Sequence, residues 1–163
     1  MDVLAFEQWI DQPVSRVWSY FCDEYNLSEL TPPWLGFEVL GKTTPQIDAG
    51  TEIEYRIRLY GIPLRWVSVI KRWEPGVQFM DVQKKGPYAV WEHLHYFEDH
   101  GPRTLMKDHI LFKPRFGLFG TLAKPWVREQ VKRIFAYRYE VIEQRFNRSR
   151  PKRALVLPAN SPT

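Results

Sequence analysis

Cysteine is nearly missing from this chain: among 163 residues the sole one is Cys22. A single thiol cannot close an internal disulfide, and a structural zinc site built on cysteines is excluded with it. Long apolar runs are missing as well. No stretch approaches the roughly 18 apolar residues of a membrane-spanning helix, and Met1-Asp2-Val3 lacks the basic start of a secretory leader. The expectation is a soluble, cytoplasmic domain without stable membrane insertion. Neither a phosphate loop nor a dinucleotide fingerprint is present. Ser15, Ser19, Ser28, Ser68, Ser149 and Ser161 lie in no nucleophile-elbow pattern, and Cys22 has no catalytic signature around it.

An excess of one charge is also absent from most of the chain. The formal net charge is +4, but Arg145, Arg148, Arg150, Lys152 and Arg153 crowd into residues 145–163, which hold no acid; the remaining 18 basic groups face 19 acidic ones. A nucleic-acid binder concentrates positive charge on its folded surface, so nucleic acid is not an expected partner. Residues 148–163 are expected to form a basic, flexible C-terminal tail, with Ala154-Leu155-Val156-Leu157 its only apolar run. Residues 1–147 then make one domain.

What the chain does have is aromatic side chains, 15% of residues with seven Trp, together with thirteen Pro. Residues 3–10 suit a strand. Pro13 follows where a first helical turn tolerates it, and Val14, Val17, Trp18 and Phe21 recur at helical spacing. A second short helix over 25–30 is stopped by Thr31-Pro32-Pro33. Six segments of strand character come next, 37–40, 52–60, 64–73, 77–84, 88–98 and 104–113, bounded by turn residues such as Gly61, Pro75-Gly76, Gly86-Pro87 and Gly101-Pro102. Connections this short join antiparallel neighbours. After the Phe116-to-Gly120 segment FGLFG, expected as a loop, a long helix is predicted to begin near Pro125. Its buried stripe is Val127, Val131, Ile134, Phe135, Arg138, Ile142 and Phe146. A curved antiparallel sheet wrapped around that helix is the simple physical solution, and such a wrap leaves a hollow where a small ligand can sit. Phe116 and Phe119 are candidates for a gate over its mouth, since the glycines beside them permit motion.

The same alternation locates a polar cluster. Period two puts Trp91, His93, His95 and Phe97 on one strand face, while Glu92 and Glu98 mark the other as the wetter one. Asp108 faces inward on the next strand by the same logic. Pairing Phe97 with Thr104 sets His93 opposite Asp108, whereas a two-residue slip sets His95 there instead. Asp81 and Gln83 share a face on the preceding strand, with Asp81 expected near Trp91 or His93. Arg138 lies within the apolar stripe of the last helix and needs a carboxylate, Asp81 or Asp108. Its removal is expected to cost about 3–5 kcal/mol if it is half of a buried pair. A His-x-His with an acid matches facial metal ligation in type and reach. Carboxylates beside histidines equally form satisfied hydrogen-bonded networks or general acid/base sites. No metal and no cofactor are assigned.

The order of these elements, with TPPWLGF at 31–37, Trp73-Glu74-Pro75, FMDVQKKGPYAVWEHLHYF at 79–97, MKDHILF at 106–112 and IFAYR at 134–138, resembles the START-like SRPBCC superfamily, and within it the polyketide cyclase/dehydrase-like group. The resemblance covers roughly residues 1–147. It implies an α+β helix-grip fold: a curved antiparallel sheet around a long C-terminal helix, with two short helices after the first strand and a hydrophobic cavity. It also implies ligand-contact roles for Asp81, Gln83, His93, His95, Asp108 and Arg138, and Trp91, on the same inward face as the histidines, joins them as a candidate. Some members are fused to, or encoded with, sugar-epimerase-like reductases, which makes such a reductase a candidate partner. The function expected is binding of a hydrophobic small molecule, lipid-like or polyaromatic. The alternatives are a cyclase or dehydratase using His93 or His95 as base, and an interaction module without ligand. Oligomeric state is left open.

Overall fold

The computed structural model describes residues 1–59, 61–115 and 117–147, with residues 117–123 described by their backbone alone. The chain opens with strand β1 (Asp2–Ile10), helix α1 (Val14–Phe21), a 3-10 turn at Glu24–Asn26 running into the single turn α2 (Leu27–Leu30), and a second 3-10 turn at Pro33–Leu35. Gly36, at φ +48°, ends that last turn in the left-handed region, where a Cβ would be strained and would press on the Arg58 side chain.

Six strands follow: β2 (Glu38–Lys42), β3 (Glu52–Leu59), β4 (Ile62–Glu74), β5 (Gln78–Lys85), β6 (Tyr88–His100) and β7 (Arg103–Pro114). With β1 they form one curved antiparallel sheet in the order β1-β7-β6-β5-β4-β3-β2. From β3 to β7 the meander arises because each connection is a tight turn, while a longer loop over 43–51 joins β2 to β3; the crossing through α1 and α2 lets β1 close the far edge against β7, with Phe6 opposite Asp108. Helix α3 (Gly117–Phe146) lies in the grip of this sheet. Gln8 of β1 donates to the Tyr139 carbonyl at 3.0 Å and to Glu143 at 3.2 Å, and Asn147 donates to the Trp9 carbonyl at 2.9 Å, so β1 and the end of α3 are stitched together.

One expectation is corrected. The helix begins at Gly117, with Pro125 inside it, so the segment from Gly117 on is helix and not loop. Pro favours a first turn, which is why the sequence pattern sets the boundary too late. The gate expected of Phe116 and Phe119 concerns side chains outside the described residues, as does the tail over 148–163. The β6–β7 register is the second of the two pairings the sequence allows. His95, not His93, stands directly opposite Asp108, and Phe97 pairs with Met106. The hairpin runs out to His100 opposite Arg103 around Gly101-Pro102, with Gly101 at φ +70°. A two-residue turn with glycine first is a favoured hairpin geometry. The slip is two residues, so every side chain keeps its face.

The core falls into two apolar clusters. Ile10, Val17, Phe21, Leu30, Phe97, Met106, Ile142 and Phe146 belong to one; Leu4, Ile110, Phe112, Val131 and Phe135 belong to the other. On β7 Asp108 separates Met106 from Ile110, on β6 His95 and His93 follow Phe97, and on α3 Arg138 separates Phe135 from Ile142. A polar layer therefore divides the core. Cys22 lies beside the first cluster's Phe21, and burial pushes its thiol up to about 12. Thiolate is the alkylating form, so iodoacetamide at pH 8 should label the folded chain far more slowly than the urea-unfolded chain. Equal rates would contradict this placement.

Candidate functional site

The dividing layer opens onto a hollow of ≈ 160 Å³, many times the space one water requires. Ile53, Tyr55, Ile57, Trp66 and Ile70 of β3 and β4, Phe79 and Asp81 of β5, Trp91, His93 and His95 of β6, and Ile134, Phe135 and Arg138 of α3 are among its walls. The aromatics form a continuous lining. Trp66 meets Trp91 edge-on at 5.3 Å and stacks on Tyr55 at 5.9 Å, and Trp91 tilts against Tyr88 at 4.9 Å.

At the polar end, His93 and His95 are 4% and 3% exposed and Asp108 6%. Their ring centroids lie 3.7 Å apart. His93 Nε2 donates to Asp108 Oδ1 at 2.8 Å, and His95 Nδ1 lies 3.1 Å from the same oxygen without hydrogen-bond geometry. On the other side of the rings stands Asp81, its Oδ2 3.5 Å from His93 Nδ1 and 3.4 Å from His95 Nε2. The β5–β6 register places Asp81 opposite His93, one of the two positions the sequence allows.

Burial pushes His93 down to about 4, helped by the neighbouring His95 and opposed by Asp108 and Asp81. Burial also depresses His95, but its contacts with Asp108 and Asp81 outweigh that and raise it. Both aspartates are pushed up by burial and pulled below the usual carboxylate range by the histidines. One imidazolium between two carboxylates is the arrangement these opposed shifts describe.

Arg138 reaches Asp108, one of its two expected carboxylates, at the long end of an ion pair. Its Nη1 lies 4.0 Å from Asp108 Oδ1, the guanidinium stacks over Phe135 at 4.9 Å, and Nε and Nη1 are buried with no hydrogen-bond partner among the described residues. It lines the main hollow and, on its other side, a second one bounded by Phe6 and Gln8 of β1. Asp108 has the two histidines as well, so losing Arg138 strands no carboxylate, and the large cost expected of its removal moves to Asp108.

Gln83 stands apart from the cluster. Its amide donates to the Tyr88 carbonyl at 2.8 Å and accepts from the Tyr88 N–H at 3.1 Å, clamping the β5–β6 hairpin. Gly86 packs so closely on it that a Cβ there would collide. Missing from the sequence reading is Ser68, whose hydroxyl donates to Asp81 Oδ1 at 3.3 Å and is held by the Trp66 indole at 3.1 Å and the Tyr55 hydroxyl at 2.8 Å. The signal was the inward period of β4, where Ser68 falls between Trp66 and Ile70. Tyr55 stays a phenol, because burial and the Asp81 charge raise it well above its ordinary value.

A curved antiparallel sheet gripping one long helix over an apolar hollow is the helix-grip α+β fold, the fold of START-like structures. No protein-family model and no curated protein sequence matches the chain. Among solved structures, it is similar to the Zhui aromatase/cyclase of Streptomyces sp. R1128, with a TM-score of 0.69 at 13% identity over 86% of this chain and 90% of that one. A START superfamily protein of Mycobacterium smegmatis superposes with a TM-score of 0.66 at 12% identity, covering 87% and 97%. A nucleoside-diphosphate sugar epimerase of Corynebacterium glutamicum matches over 86% of this chain but 28% of its own length, at 21% identity and a TM-score of 0.63. At these identities the likeness is one of fold. Among the described residues no helix is long and apolar enough to cross a membrane.

Proposed function

We propose that the protein binds a hydrophobic small molecule, lipid-like or polyaromatic, in the hollow between sheet and α3. The observation that carries this reading is an apolar, aromatic-lined cavity with one polar end, the composition that orients a ligand rather than merely packing a core. The apolar body lies against Tyr55, Trp66, Trp91 and Ile70. Its oxygen-bearing end meets Asp81, His93, His95 and Arg138, where Arg138 has donors to offer. Native mass spectrometry of the full chain, purified from its own host without detergent, should find a small molecule retained in stoichiometric amount. A protein repeatedly free of any guest, which also takes up no fluorescent fatty acid or polyaromatic probe, would not be a carrier.

A second reading, a cyclase or dehydratase with His93 or His95 as base, is favoured by one observation: two adjacent imidazoles whose proton affinities are driven apart. His95→Gln separates the two, since a carrier loses guest retention whereas an enzyme keeps its guest and loses turnover. A cytoplasmic setting rests on a lone cysteine that closes no internal disulfide.

A further inference from the structure

The geometry points to a binding site for a divalent first-row transition metal ion, of the zinc or ferrous type, formed by Asp81 Oδ2, His93 Nδ1 and His95 Nε2 on the cavity wall. One donor atom from each of these three residues lies within 4.8 Å of the others. The Asp81 separations of 3.5 and 3.4 Å are long for N–H···O hydrogen bonds, whose usual range is about 2.7–3.2 Å. They match the edge of a coordination tetrahedron, since donors about 2.1 Å from an ion lie about 3.4 Å from each other.

Proton placement points the same way. An ionised Asp108 only accepts, so the 2.8 Å bond from His93 requires the hydrogen on Nε2. In the neutral ring Nδ1 then presents its lone pair to the Asp81 carboxylate. Two lone-pair donors thus face each other across 3.5 Å in a buried place, where a metal ion can take over from the His95 imidazolium as their counter-charge, with release of its proton. The surroundings are those of ligands oriented from behind. Asp108 backs both imidazoles on the nitrogens facing away from Asp81, and Ser68 holds the second oxygen of Asp81, as carboxylates and hydroxyls do around metal-ligating residues. Two imidazoles and one carboxylate suit zinc, ferrous iron, cobalt or nickel, and leave coordination positions open. All three residues line the hollow, so those positions are available to an oxygen of a guest. The site goes beyond guest binding and does not depend on it.

The test uses the full chain, stripped with chelator and desalted, with Zn²⁺ and Co²⁺ titrated by calorimetry and by visible absorption. One ion per chain is expected, with cobalt bands of low symmetry, quenched tryptophan fluorescence from the nearby Trp66 and Trp91, and a melting temperature that rises with ion concentration. Asp81→Asn should weaken binding by more than the ~10–100-fold that an outer-shell partner costs, and Ser68→Ala by an amount within that range. Should Asp81→Asn fail to fold by circular dichroism, Ser68→Ala carries the test. His100→Ala, in the exposed pair with Glu98, should change nothing. Binding no tighter in the native chain than in Asp81→Asn or Ser68→Ala, or binding abolished by His100→Ala, would overturn the site, and neither result bears on whether the cavity holds a guest.

Discussion

Asp108→Ala should lower the unfolding free energy by about 3–5 kcal/mol, the cost of removing one partner from a buried charge cluster. Asp108 is the carboxylate on which the polar layer converges: it accepts from His93, lies 3.1 Å from His95 and is the acid within 4.0 Å of Arg138. Without it the His93 donor has no acceptor, and Arg138 loses its near counter-charge in a position 9% exposed. Urea denaturation followed by tryptophan fluorescence reads the change as a lower midpoint at an unchanged slope. Glu98→Ala is the control, because its pair with Lys107 is solvent-screened and worth at most about 1 kcal/mol. A loss at Asp108 no larger than at Glu98 would mean that the layer is not held by its carboxylate.

Arg138→Met should behave in the opposite way, keeping or raising stability while weakening guest binding. Arginine here contributes a cation over the Phe135 ring and a long ion pair of 4.0 Å with Asp108, while Nε and Nη1 are buried without hydrogen-bond acceptors. Unpaired buried donors cost free energy, and replacing buried ions by well-packed apolar side chains is often neutral or stabilising by about 1–4 kcal/mol. Methionine fills similar volume and keeps Asp108 paired with the two histidines. If the free donors serve the oxygen-bearing end of a guest, their loss removes charge-assisted hydrogen bonds worth about 1.5–3 kcal/mol, or roughly 10- to 150-fold in affinity. Competition binding of a fatty acid against the matching hydrocarbon probe measures it. Arg138 would be structural rather than ligand-directed if the variant lost several kcal/mol of stability and bound both probes as the native chain does.

The stability burden thus sits on Asp108 and the binding burden on Arg138, a division that sequence alone does not reveal. Both residues are inward by periodicity, and both are flanked by apolar neighbours at 106–110 and 135–142. What separates them is how many partners each finds once β6, β7 and α3 meet. The same holds for Gln83, which shares a strand face with Asp81 yet gives its whole amide to the Tyr88 backbone. A face assignment says where a side chain starts, and a hairpin two residues away can still claim it.

The element order was legible because each signal was local. Tight turns at Gly76, Gly86 and Gly101 force antiparallel neighbours, and the three- and four-residue spacing from Val127 to Phe146 defines one buried stripe. Strand alternation in 91–97 and 106–112 was likewise enough to turn His93, His95 and Asp108 inward, since glutamates occupy the opposite face of β6. Register was beyond reach, because a slip of two residues preserves every face and so satisfies the same pattern; the two-residue turn at Gly101-Pro102 decided it. The start of α3 was also misplaced, as Pro125 mimics a helix beginning. The convergence of Asp81, His93 and His95, backed by Asp108 and Ser68, depends on β4, β5, β6 and β7 lying side by side, so no single segment could have announced it. Donor separations of a few tenths of an ångström distinguish a hydrogen bond from a metal edge, and only the packed sheet sets distances that fine.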